Sequence, residues 1–192
     1  MNAVFEREFY KIKGKIIIMT RHDLRDATFR IIFQIPFHRI DEMTEQEENF
    51  LLDLADEPEQ YLSEASSLRI ANEIKNEEEK IVLASGETDH TEETEIVSEK
   101  DKEYIRNKVQ GILMRLPEID NEFKNHSTGW DISRIGRAEL AILRLAVYEI
   151  KFDEDIPVKV AVNEAVELAK KYCDDNAYVF VNGILSTVMK ED

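Results

Sequence analysis

Apolar residues recur along this chain at steps of three and four, the spacing of one face of an α-helix, over nearly its whole length. Thr20 followed by Asp23 has the form of an approximate capping box and predicts a helix start. Leu24, Ala27, Thr28, Ile31, Ile32 and Ile35 then supply one apolar face, and Pro36 ends the helix. Thr44 with Glu47 announces a second helix through Phe50, Leu51 and Leu54. A third is expected from about Glu59 to Ile74, using Tyr61, Leu62, Leu68 and Ile70. Ser98 with Asp101 opens a strong helix whose face is Tyr104, Ile105, Val109, Ile112, Leu113 and Leu116, and Pro117 stops it or begins a short one around Ile119 and Phe123. After a turn at His126–Gly129, with Trp130 as a core anchor, Leu140, Leu143, Ala146, Val147 and Ile150 line the next helix. Pro157 suits the first position of a further helix through Ala161, Ala165, Leu168, Ala169 and Tyr172. Phe180, Val181, Ile184, Leu185 and Val188 line the last. With no strand alternation bounded by hairpin turns, the expected fold is all-α: a single domain of six to seven helices in two packed sub-bundles.

Composition narrows the class. The chain has 192 residues, 43% of them hydrophobic, enough for a sizeable core. Its single cysteine, Cys173, excludes an internal disulfide framework and any multi-cysteine zinc site, and fits a reducing compartment. The apolar runs fall far short of the ~20 residues that span a bilayer, and the first 18 residues mix charges into the apolar stretch a signal peptide would need. The expectation is a soluble, cytoplasmic protein with no membrane contact.

The formal net charge of −16 argues against a surface that coats nucleic acid throughout. That charge is uneven. Residues 1–39 carry a net +4, residues 40–103 a net −17, and residues 104–192 a net −3. An anion can therefore bind at the basic end. The acidic stretch at 76–97 has weak periodicity and is expected to be a mobile loop.

Catalytic motifs are absent. There is no dinucleotide fingerprint, no phosphate-cradling glycine loop and no nucleophile elbow. His22, His38, His90 and His126 lack metal-ligand spacing. The reading is a protein that is not an enzyme, with no catalytic residue, metal or cofactor. Three features remain. Arg21, His22, Arg25 and Arg30 begin the first helix, with 21 and 25 one helical step apart. Cations there oppose the helix macrodipole unless an anion comes in, which points to phosphate; the alternative is simple surface arginines. Arg144 lies inside the apolar run AILRLAVYEI, where a charge must be paired, for instance with Glu149 or Glu164, or must emerge at the surface. Gly183, after Asn182 in a helical pattern, suggests close packing against a neighbour or a ligand.

The segments WDISR (130–134), AILRLAVYEI (141–150), IPVKVAVNEAVELAKKY (156–172) and FVNGIL (180–185) strongly resemble the NusB family of transcription antitermination factors, and MTRHDLRDATFRIIFQ (19–34) looks like that family's first helix. EYIRNKVQGI (103–112) fits its central helix. The resemblance covers residues 19–189, dense from 130 onward and sparse between 36 and 97. It implies an all-helical NusB-like domain over 19–192 and an RNA-binding role without catalysis. The family binds single-stranded boxA-type leader RNA together with ribosomal protein S10 (NusE), and the pair joins RNA polymerase in an antitermination complex for ribosomal RNA transcription. Carried onto this chain, the resemblance places Arg21, His22, Arg25, Lys159, Tyr172 and Phe180 at the RNA, and Phe33, Glu139 and Arg144 toward the partner.

The chain also departs from the family pattern. His22 stands where the family often has Arg, and Val179 where a Lys commonly precedes Phe-Val-Asn-Gly; both lower the positive charge available to RNA. The acidic stretch is longer than usual, and residues 1–18 have no counterpart; Met19 reads as a natural start, and the extension is either a misassigned beginning or a real, unexplained arm. A few cations for phosphates and aromatics for unpaired bases suffice for weak single-strand binding, which a partner would strengthen. The competing reading is an acidic helical module that binds protein only.

Overall fold

The computed structural model describes residues 19–57, 60–70, 72, 97–126 and 132–189. The N-terminal extension 1–18, the acidic loop 76–97 but for Val97, the turn at 127–129 and Trp130 lie outside the described residues, as does the side chain of Phe123. The α-helices are α1 (Arg21–Ile32), α2 (Met43–Asp56), α3 (Glu99–Met114), α4 (Leu116–His126), α5 (Arg137–Phe152), α6 (Val158–Tyr172) and α7 (Ala177–Val188). A further helical stretch covers 64–70. The all-α expectation holds.

The helix starts follow local chemistry. Thr20 and Asp23 form a reciprocal cap: the Asp23 backbone N–H donates to Thr20 Oγ1 at 3.2 Å and the Thr20 N–H to Asp23 Oδ2 at 3.1 Å. At the Ser98 start the Asp101 N–H donates to Ser98 Oγ at 3.1 Å, and the Ser98 hydroxyl donates to Asp101 Oδ2 at 2.9 Å. The second start differs from expectation. Arg39 and Glu42 cap a short 3-10 turn at Ile40–Glu42 that leads straight into α2, so Thr44 sits inside the helix rather than at its cap. The third helix begins later than expected, at 64, where Ser63 Oγ accepts the Ser66 N–H at 3.3 Å. Leu68, expected inside, is exposed, whereas Ile70 is buried.

The chain divides into two compact units. The first contains residues 19–24 and the described part of 48–104, with Met19, Leu24, Phe50, Leu51, Leu54, Ile70 and Val97 buried. The Phe50 and Tyr61 rings meet steeply inclined, at 72°, with centroids 5.0 Å apart. The second contains 25–47 and the described part from 105 onward. Its centre is α5, buried without interruption from Leu140 to Val147, which marks a helix covered all round rather than on one face. Helices α6 and α7 pack on α5 and on each other, and α4 packs on α5 and α7. Gly183 contradicts its expected close packing: a β-carbon there would meet nothing within 4 Å. Among the described residues, no helix is long and apolar enough to cross a membrane.

Candidate functional site

The first turn of α1 belongs to the first unit. Arg21 is exposed, its guanidinium 5.3 Å from the centre of the Tyr104 ring. His22 is half-buried. Asp23 is the buried anchor of this turn: besides its cap it accepts the Ser63 N–H at 2.8 Å and the Ser66 hydroxyl at 2.6 Å. Burial would raise its carboxyl, but the hydrogen bonds from Ser66, Thr20 and Ser63 outweigh that and hold it below the usual carboxylate range. The chain thus supplies its own anion at the start of α1, and the macrodipole conflict expected there is met from within.

In the second unit Arg25 departs from expectation. It is buried, with Nε donating to both Glu149 oxygens at 3.0 and 2.9 Å, and with Nη1 3.2 Å from Glu164. Lys108 Nζ joins the same Glu149 carboxylate at 2.7 Å and lies 3.1 Å from Asp153. Arg25 is therefore part of a core ion network rather than a surface cation, which corrects its expected place at the RNA. Arg144 is paired, as its apolar surroundings require, but with Asp120, through two parallel bonds of 2.8 Å from Nε and Nη2. Glu149 and Glu164, the partners expected for it, are taken by Arg25.

Four aromatic residues of this unit form a file. Tyr172 lies 4.7 Å from Phe29, Phe29 6.1 Å from Phe33, and Phe33 5.7 Å from Phe37, between ring centres. Arg137 closes the far end, 4.6 Å over the exposed Phe37 ring. Around Tyr172 stand Lys171 at 5.0 Å and Arg30 at 5.7 Å from the ring centre. Both cations and the Tyr172 hydroxyl donate to one buried carboxylate, Asp26: Arg30 Nε at 2.7 Å, the hydroxyl at 2.7 and 2.9 Å, and Lys171 Nζ to Oδ2. Burial pushes the Asp26 carboxyl up, but these donors outweigh it and hold the acid below its ordinary value. Burial and the neighbouring Asp26 charge raise the Tyr172 hydroxyl, which stays a neutral donor.

The remaining expected residues are placed as follows. Lys159 is exposed in the first turn of α6, next to the half-exposed Val158 and Val160. Phe180 is half-buried in the first turn of α7, beside the exposed Val179. Glu139 is half-buried in the first turn of α5, with its carboxylate folded back over Gly136. Together with burial, which acts first, Glu139 and Asp174 raise the Cys173 thiol to about 11. Among the described residues, no group of three or more His, Cys, Asp or Glu side chains is set to hold a metal.

The sequence reading missed the convergence on Asp26. Its signal was present in part: Asp26 and Arg30 are four apart on α1, and Lys170-Lys171 closes α6.

Against known families, residues 65–190 match the NusB family. A transcription antitermination protein NusB of Agathobacter rectalis is 36% identical over 168 residues, covering 88% of this chain and 98% of that protein. One from Lachnoclostridium phytofermentans is 35% identical, over 89% of this chain and 99% of its own length. Among solved structures, NusB of T. maritima aligns over 90% of this chain and 93% of its own with a TM-score of 0.59 and 29% identity. A crystal structure of the antitermination factors NusB and NusE in complex with dsRNA aligns over 90% of this chain and 97% of its own, with a TM-score of 0.57; at 23% identity it bears on the fold alone.

Proposed function

The chain belongs to the NusB family of transcription antitermination proteins, and on that premise we propose that it is an RNA-binding antitermination factor acting in the cytoplasm on boxA-type leader RNA. In this reading it binds the RNA together with ribosomal protein S10 (NusE), and the pair joins RNA polymerase during ribosomal RNA transcription. The observation that carries the reading is the match over nearly the full length of relatives named as antitermination proteins. Exposed cations at Arg21 and Lys159, and cations beside the Tyr172 ring, are the groups that single-stranded RNA requires for its phosphates. Phe180 is the residue assigned to stack on a base, and Phe33 and Glu139 are those assigned to the protein partner; Arg144, buried and doubly bonded to Asp120, would act there only through that pair.

The role proposed for Arg25 and Tyr172 is indirect. Arg25 is committed to Glu149 and Glu164. The Tyr172 hydroxyl serves Asp26, and its ring meets Phe29 and two cations, so it orders charge rather than receiving a base. The test is binding of a boxA-type single strand to the full chain, with and without S10, followed by fluorescence anisotropy at low salt. Weak binding alone and tighter binding with S10 is the expected result. No binding in either case rejects the reading, and a salt-sensitive complex with S10 without any RNA contact leaves a protein-only adaptor.

A further inference from the structure

Three donors converge on the buried Asp26 carboxylate, and two of them carry a full charge. One cation would neutralise it. The Tyr172 hydroxyl already supplies a further hydrogen bond, so the second cation is surplus to what burial of a carboxylate demands. The Arg30 and Lys171 side chains both reach solvent, in a chain whose formal net charge is −16. Both heads are held rather than free to wander. Each donates to a carboxylate that is itself almost wholly inaccessible, and each lies over the same aromatic ring. Ordering two long cationic side chains before an anion arrives removes an entropy cost that binding would otherwise carry.

We propose that Arg30 and Lys171, held beside the Tyr172 ring by Asp26, form a prearranged site for consecutive phosphates of a single-stranded RNA backbone. This rests on the RNA-binding reading above and adds to it a place of contact on this chain's own residues. Asp26 is a positioning residue: it touches the two cations and never the RNA. Recognition here is of backbone charge, so the site tightens binding of every sequence alike and reads no base.

The test uses the full chain, with anisotropy titrations of a boxA-type strand and of a scrambled strand over a range of salt concentrations. Lys171→Gln and Arg30→Gln are each expected to lower the slope of log K against log salt by about 0.7, the single-strand value for one phosphate, equally for both strands. Arg39→Gln removes the same charge from an exposed cation engaged by Asp41 and is expected to leave the slope unchanged. Asp26→Asn decides between two accounts. If Asp26 merely subtracts charge, its neutralisation tightens RNA binding; if it positions the cations, binding weakens although the protein becomes less negative. Unchanged slopes in both cation variants, with the native chain still binding RNA, overturn the site and leave the function standing. Should Asp26→Asn unfold, seen as a lost thermal transition, the two cation variants decide alone. Failure of the native chain to bind RNA at low salt rejects the function and this site together.

Discussion

Two carboxylates in the second unit, Glu149 and Asp26, are buried to the same degree, with side-chain exposures of 1% and 2%. Each collects two cations. At Glu149 the cations are buried too, Arg25 at 4% and Lys108 at 3%. At Asp26 they reach solvent, Arg30 at 31% and Lys171 at 43%. The residues that lead into these networks, Arg25 and Asp26, are neighbours on α1. The difference lies not in the carboxylates but in where the cationic heads end. Charge enclosed on every side holds elements together and has no way to meet a ligand. Charge anchored from below and open above is prearranged for one.

The comparison is tested hardest at Arg25. Arg25→Ala leaves Glu149 buried with Lys108 alone, and breaking a buried pair from one side is expected to cost ~3–5 kcal/mol. A urea unfolding midpoint measures it, and a loss below about 1 kcal/mol would mean that the network is wetter than its geometry indicates. Arg25→Glu is expected to be at least as damaging, so RNA affinity measured on either variant reports folding rather than contact. An intermediate case is Arg144 with Asp120, a two-bonded pair in which only the arginine is enclosed. Asp120→Asn is expected to cost about 1–3 kcal/mol in the same unfolding experiment. Lys171→Gln is expected to cost ~0–1 kcal/mol, because solvent screens its pair with Asp26. Its effect on RNA binding should exceed its effect on stability, the reverse of Arg25.

The smallest effect at neutral pH concerns the titration of Asp26. Its carboxyl is held below the ordinary value in the folded chain, so its stabilising contribution is complete above the ordinary value and is lost as pH falls through the folded one. Around pH 7 it is ionised in both states and adds no slope. Unfolding free energy followed from pH 6 down to pH 2 is expected to fall less steeply in Asp26→Asn than in the native chain. Asp23, lowered by its own hydrogen bonds, adds a second component to the same acid limb that the Asp26 variant leaves intact.

What could be read from residue order alone was whatever depends on neighbours within one helical turn. Thr20 with Asp23 and Ser98 with Asp101 cap helices because donor and acceptor are three residues apart, and the apolar faces of α1, α3 and α7 follow from spacing in the same way. Where two local signals competed, order was not enough: Arg39 with Glu42 captured the start of α2 ahead of Thr44 with Glu47. The burial of Arg25, its claim on the glutamates expected for Arg144, and the gathering of Lys171 and Tyr172 around Asp26 were hidden. Arg25 meets Glu149 across 124 positions of chain, and Tyr172 meets Asp26 across 146. No periodicity spans such distances. Those pairings exist because burial of apolar residues such as Phe29, Leu143 and Leu168 carries polar groups along, and these must find partners wherever that burial leaves them.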